Sequence, residues 1–341
     1  MHKVKRISQL VIQLFDSDLV LSNNTFLGCK KVGFLIMFIS VSSVFIDDIV
    51  LPGGIEHLNC LGGGVTHAAM GMRIWSDQVG MVAKIGHDFP IEHMEKLRTL
   101  FNVDGLEKCD MKTMRAWQYF SADGTRREEL RYKLKNFDPI KPNLSAFPAS
   151  YSNLIGVHLH CEGAEVVRWA PFLRSRGKKL FIMWEPWQRD CVIENRSKLA
   201  KILPLVDCVS PNLEEAKYLL GKDRKVELVN DFLEFGAQRI AIREGAHGST
   251  YADAQGNFIH VPAVKVERIV DHTGAGNAYC GGLVVGFVIS ENIQDALCCA
   301  AVSASFPLEQ FGALFRIEGI QQRVENRFRF CKEELLILNS R

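Results

Sequence analysis

The segment Asp271-His272-Thr273-Gly274-Ala275-Gly276-Asn277 has the composition of an anion-binding turn. Val264 to Val270 precedes it as an extended run with β-branched residues, and small residues through Ala278, Gly281, Gly282 and Gly286 follow it. The expected arrangement is strand, glycine turn, helix N-terminus. Small residues leave backbone N–H groups uncovered there, and the helix dipole adds partial positive charge, so a phosphate is favoured. A Gly-x-Gly taken alone serves a tight turn equally well.

Four other groups could share a site with it. Asn212 and Glu215 have the spacing of a helix N-cap and its capping-box partner, which is also the spacing of two polar ligands on one helix start. Gly245 and Gly248 bracket a short loop after the apolar run Arg239–Arg243. Gly62, Gly63 and Gly64 form a second glycine loop, with His67 and Ala69 just beyond it. Asp47 and Asp48 end the apolar run Val32–Ile46.

The elements that must position these groups alternate along the chain. Gln78–Lys84, Leu154–Leu159, Lys179–Trp184, Cys208–Val209 and Arg239–Arg243 read as strands. Ala164–Ser175, Glu194–Leu203, Asn212–Leu220 and Val226–Phe235 read as helices. A further helix follows Asp88, its expected cap, with Ile91, Met94 and Leu97 on one face. This βα alternation predicts a parallel sheet with helices on both faces. Arg115–Tyr132 breaks the rhythm with two extended pieces around Ala122-Asp123-Gly124, a hairpin signal.

Composition narrows the classes. The chain is 47% hydrophobic and 23% charged, with a net charge of +2, which suits a globular protein without a nucleic-acid or membrane surface. Arg131, Lys133 and Lys135 form only a local basic cluster, expected at a charged edge. Val32–Ile46, at 15 residues, is shorter than the roughly 20 that span a bilayer and reads as a buried first strand. The ten cysteines show no C-x-x-C pair and read as core thiols in a reducing, cytoplasmic setting.

In their order along the chain these motifs resemble the PfkB (ribokinase-like) carbohydrate kinases. Gly62-Gly63-Gly64 precedes Ala69, Ser76 follows after six residues and Gly86 after nine more, and both spacings match the family's N-terminal pattern. Asp271, Gly274, Ala275, Gly276, Gly281 and Gly282 match its C-terminal pattern. The resemblance implies an α/β three-layer sandwich with a mainly parallel sheet and a small β lid. It places that domain over residues 34–330, after an N-terminal extension 1–33 and before a tail 331–341. It implies ATP and Mg2+ as cofactors and a sugar-like or nucleoside-like hydroxyl compound as substrate. Gly274, Ala275 and Gly276 would hold the phosphates. Asn212, Glu215, Gly245, Gly248, Asp271 and Thr273 would bind nucleotide, with Asp271 and Glu215 reaching Mg2+ directly or through water. Asp47 (or Asp48), Gly63, Gly64 and His67 would line the acceptor pocket, and a lid-to-lid homodimer fits the family.

The chain departs from that family at the position that matters most. Asn277 stands where the family has its catalytic Asp, and an amide has no comparable basicity. His67 replaces the usual sugar-contacting Asn, and Arg243 replaces the usual Thr before the nucleotide loop. Together with Trp184-Glu185-Pro186, these features resemble the divergent fungal, maintenance-of-killer-like branch. Two functions follow as expectations: a phosphotransferase working without the usual base, or a pseudokinase that keeps only ligand binding.

Overall fold

The computed structural model describes residues 25–26, 29–30, 36–122, 125–132, 138–177 and 179–338. Most of the extension 1–33, the turn residues Asp123 and Gly124, and the basic residues Lys133 and Lys135 lie outside them. Within the extension, Thr25–Phe26 pairs antiparallel with Cys29–Lys30.

The apolar run expected as one strand divides in two. Met37–Val41 (β1) enters the main sheet, and Phe45–Val50 (β2) enters a separate small sheet. Ser42, Ser43 and Val44 form the crossing. Glu56–Gly62 (β3) returns along β2 and leads into α1 (Gly64–Arg73). Val79–Gly86 (β4), α2 (Ile91–Leu100) and Asn102–Cys109 (β5) then fill one side of the main sheet. Arg115–Phe120 (β6) and Arg126–Leu130 (β7) form the expected hairpin, and β6 pairs parallel with β2. The lid is therefore a four-stranded sheet in the order β3-β2-β6-β7.

The remaining strands are Leu154–Cys161 (β8), Phe181–Pro186 (β9), Cys208–Val209 (β10), Arg239–Arg243 (β11), Ser249–Asp253 (β12), Phe258–Val261 (β13) and Leu336–Ile337 (β14). They order the main sheet as β14-β13-β12-β11-β10-β9-β8-β1-β4-β5, parallel from β11 to β5 and antiparallel at the other edge. Alternate residues of each strand serve opposite faces. Phe38, Met81, Met183 and Ala241 join one core, and Ile39, Val82, Ile182 and Ile240 join the other.

On the second face lie α3 (Gly163–Arg174), the short α4 (Leu199–Ile202), α5 (Leu213–Leu220) and α6 (Lys225–Glu234). On the first lie α1, α7 (Ala275–Ile289), α8 (Ile293–Ser305) and α9 (Gln321–Glu334). The core thiols, Cys280 and Cys298 among them, are fully buried there.

Several expectations need correction. Val264–Val270 is not a strand, and a loop precedes the glycine turn. Its alternation is broken because Lys265, Glu267, Arg268 and Ile269 are all exposed, leaving no face to pair. Asp88 does not cap α2, whose N-cap is Pro90; its carboxylate accepts from Thr113 N at 2.6 Å instead. Ile91 is exposed while Met94 and Leu97 are buried. Glu194–Leu203 is mostly 3-10 turns rather than one α-helix. The last helix runs to Glu334, and β14 pairs with β13 at the edge of the main sheet.

Helices α1 and α7 cross at backbone distance. A Cβ on Gly281 would strike the carbonyl oxygen of Ala68, and one on Gly71 would strike that of Ala278. Gly281→Val should therefore cost at least about 1–3 kcal/mol of folding stability, read as a lowered urea midpoint at unchanged slope.

Candidate active site

The site forms where the parallel strands end, the usual place for a ligand in an open α/β sheet. A row of polar residues crosses the sheet there. Ser40 Oγ lies 3.0 Å from His158 Nδ1, and His158 Nε2 lies 2.7 Å from Glu185 Oε2. One step along the same strands, Ser42 Oγ lies 2.8 Å from His160 Nδ1. Glu185, at the end of β9, is buried and has three donors. Arg243 Nη1 reaches its Oε1 at 2.7 Å, and Asn277 Nδ2 donates to its Oε2 at 3.0 Å, beside His158. Burial alone would raise the Glu185 carboxyl, but Arg243, followed by His160 and His158, holds it well below the usual carboxylate range.

Arg243 ends β11 and is the hub of one side of the site. Its Nη2 donates to Ser210 O at 2.9 Å and lies 3.5 Å from Glu215 Oε2. A Cβ on Gly276 would strike its Nη1. Asn212 and Glu215 form a complete capping box on α5: Glu215 N donates to Asn212 Oδ1 at 2.8 Å, and Asn212 N donates to Glu215 Oε2 at 2.7 Å. Burial, opposed by Arg243, raises the Glu215 carboxyl. Gly245 and Gly248 follow Arg243 directly, both with positive φ, and a Cβ on Gly248 would strike Val261 O.

The other side of the site is assembled by the lid. Asp47 and Asp48 point to opposite faces of β2. Asp48 pairs with Arg131 at 2.6 Å and accepts from Asn59 N at 2.8 Å, so it serves the lid itself. Arg131 also lies over the Trp117 ring at 4.1 Å, as a charged lid edge requires. Asp47 faces Gly62, where any Cβ would strike its carboxylate. Gln118 Nε2 donates to Asp47 Oδ1 at 3.0 Å, Arg126 Nη1 donates to Gln118 Oε1 at 3.1 Å, and the same Nη1 reaches Thr273 Oγ1 at 3.3 Å. This chain ties the lid to the phosphate turn. Burial pushes the Asp47 carboxyl up to about 7.

The turn itself has Gly274 at φ 76° as the N-cap of α7, with Asp271 Oδ1 accepting from Thr273 N at 2.7 Å. The imidazole of His67 lies against Gly274, leaving no room for a Cβ there. His67 is buried with neither ring nitrogen hydrogen-bonded, and burial with the nearby Arg126 lowers it to about 4. Gly63 and Gly64 sit beneath, Gly63 against the Ser43 backbone and Gly64 against the His160 ring and Ser42.

The structure thus gathers Asp47, Gly62, Thr273, Gly274 and His67 on one side and Asn212, Glu215, Gly276 and Asn277 on the other. Arg126 and Gln118 had no signal in the sequence. Glu185 and Arg243 did have one: opposite charges at the ends of two otherwise apolar buried strands, which each demand a partner.

Magnesium, implied at Asp271 and Glu215, does not fit these residues. Glu215 Oε2 is already shared by the Asn212 N–H and the Arg243 guanidinium, a cation that repels a second one. Asp271 Oδ1 is engaged within the turn itself, where it accepts from Thr273 N at 2.7 Å. Among the described residues, the one cluster of three potential metal ligands is His158, Glu185 and Cys280, and its carboxylate is bound to Arg243.

Two measurements test this picture. Glu185→Ala leaves a buried guanidinium uncompensated and should cost about 3–5 kcal/mol in urea unfolding. Asp47 has its pKa raised in the folded state, so its contribution is full below its ordinary value and is lost as pH rises towards about 7. Asp47→Asn should gain stability relative to wild type across that window, a gain read from melting temperatures at a series of pH values.

Similarity to known proteins agrees with the geometry. Residues 61–318 match the profile of the pfkB family carbohydrate kinases. An uncharacterized protein of Schizosaccharomyces pombe is 28% identical, covering 86% of this chain and 93% of its own length. A Thermococcus kodakarensis cytidine kinase is 25% identical over 80% of this chain and 96% of its own. The Saccharomyces cerevisiae protein MAK32 is 25% identical over 78% and 83%. Among solved structures, the Methanocaldococcus jannaschii nucleoside kinase superposes with a TM-score of 0.65 at 18% identity, covering 87% of this chain and all of that one. An Escherichia coli protein described as a ribokinase II, solved with ATP and Mg2+, gives 0.66 at 17% identity, with coverage of 87% and 100%. The fold is therefore ribokinase-like, and the chain belongs to the pfkB family of carbohydrate kinases, beside its divergent fungal members.

Proposed function

We propose that this protein transfers the γ-phosphoryl group of ATP to a hydroxyl of a nucleoside-like or sugar-like molecule. The observation that supports the proposal is the hydrogen-bonded chain Asp47–Gln118–Arg126–Thr273, which links a buried acid of the lid to the glycine turn. Asp47 would hold acceptor hydroxyls, and Gly274, Ala275 and Gly276 would hold the phosphates on backbone N–H groups at the start of α7. The cytidine kinase relative favours the nucleoside class.

Asn277 has a defined part. Its Nδ2 is spent on Glu185, so its Oδ1 is left to accept the attacking hydroxyl. It orients that hydroxyl without deprotonating it. The new O–P bond forms as the bond from the γ-phosphorus to the ADP oxygen breaks, and the proton leaves with the transferred phosphoryl group. Phosphoryl transfer depends mainly on positioning and charge, so the loss of a base slows it rather than forbids it.

A second reading, a pseudokinase, is favoured by the same Asn277 together with Arg243 against Glu215. ADP release against a panel of nucleosides and sugars separates the two. Turnover of any acceptor supports the kinase, and ATP binding with no turnover across the panel supports the pseudokinase. Restoring the base is informative only when done in pairs. Asn277→Asp alone places a second carboxylate at about the 3.0 Å spacing of the present hydrogen bond to Glu185. Asn277→Asp with Glu185→Gln removes that repulsion and should raise turnover about 10²-fold or more over wild type, well above the single variant. Equal rates for wild type and the double variant would remove the missing base from the account.

A further inference from the structure

We propose that the guanidinium of Arg243 stands in for a divalent cation at the phosphate turn, so that ATP binds without magnesium. The proposal rests on the nucleotide-binding reading above.

The cation is fixed where the phosphates would lie. Gly276, the last glycine of the turn, approaches Arg243 so closely that a Cβ would strike Nη1. Glu185 at 2.7 Å and Ser210 O at 2.9 Å hold the guanidinium in place, and Glu215 Oε2 lies 3.5 Å away. Its Nε is buried with no hydrogen-bond partner. Arginine keeps its charge throughout the accessible pH range and presents a planar fork that suits phosphate oxygens.

The other side of the turn gives an independent indication. His67 is 2% exposed, its ring lies against Gly274, and both its nitrogens lack hydrogen bonds. A buried polar side chain in that state requires an explanation. An anion seated on the turn would give the imidazole N–H an acceptor. The turn is thus flanked by a guanidinium at Gly276 and an imidazole at Gly274, with the first residues of a 15-residue helix between them.

What a magnesium ion would need is missing from the same place. Magnesium is held by hard anionic oxygens and keeps several waters. Asn277 contributes an amide whose nitrogen faces Glu185, Glu185 Oε1 is paired with Arg243, and Glu215 Oε2 lies 3.5 Å from the same guanidinium. A divalent ion beside that guanidinium would meet like charge in a water-poor site.

Calorimetric titration of the full chain with ATP, in EDTA and in excess MgCl2, tests this directly. The expected dissociation constants agree within about threefold, since a fixed protein cation rather than a captured ion supplies the charge. Binding at least about tenfold tighter in magnesium overturns the proposal and leaves the nucleotide reading intact. No binding in either buffer removes the nucleotide reading and this one with it. Arg243→Gln with Glu185→Gln, which deletes both charges together and avoids an unpaired buried ion, supplies the second arm. ATP affinity in EDTA should fall at least about tenfold in that variant, with a magnesium enhancement appearing as Glu215 is released. Unchanged affinity in EDTA for a variant with wild-type circular dichroism overturns the proposal. If the variant does not fold, the two-buffer comparison on wild type decides alone.

Discussion

A buried arginine must be neutralised within hydrogen-bond reach, and much of this site follows from how Arg243 meets that requirement. Removing a charge from water costs several kcal/mol unless a partner and further hydrogen bonds compensate. Glu185 compensates Arg243 across β10, and it in turn needs donors for its second oxygen. Those donors are His158 and Asn277. Three strands and the first turn of α7 are tied together by one carboxylate. The identity of residue 277 is then not an isolated loss. An aspartate there would face Glu185, whereas an amide donates to it. Asn277, Glu185 and Arg243 form a single electrostatic arrangement.

The acceptor side obeys a different constraint. Asp47 is buried by the lid and is not given a full ion pair. Gln118, an uncharged relay, stands between it and Arg126. A neutral relay leaves the acid poised near neutrality while still coupling it to Thr273. The two halves of the site therefore treat charge in opposite ways. One locks it in a tight pair, and the other leaves an acid free to exchange a hydrogen bond with a ligand.

Much of the architecture was legible in the sequence because it depends on local periodicity. The strands β4, β8, β9 and β11 and the hairpin β6–β7 lie where alternation and turn residues put them. The glycine turn was legible because few other needs place Gly274 and Gly276 ahead of a small-residue helix. The errors have local causes too. Val264–Val270 has strand-forming residues but no neighbour to pair with, and pairing is not a local property. Val32–Ile46 reads as one strand because apolarity does not reveal which sheet a residue joins. Arg126, Gln118 and His158 were invisible for a related reason: each acquires its role from a residue far away in the chain. Glu185 and Arg243 were halfway cases. Their charges were conspicuous, but their meeting across an intervening strand could be seen only in three dimensions.

The crossing between the main sheet and the lid has a mechanical consequence. β1 passes into β2 through Ser42, Ser43 and Val44, and β3 passes back into α1 at Gly63. These two crossings touch. Gly63, at φ 89°, lies against Ser43 O, Val44 Cα and Phe45 N, with no space for a Cβ. Two chain segments that cross at a point of contact define an axis. They resist sliding past one another, because the contact is backbone on backbone. Any side chain at position 63 would force the two crossings apart, and with them the start of β2, which carries Asp47.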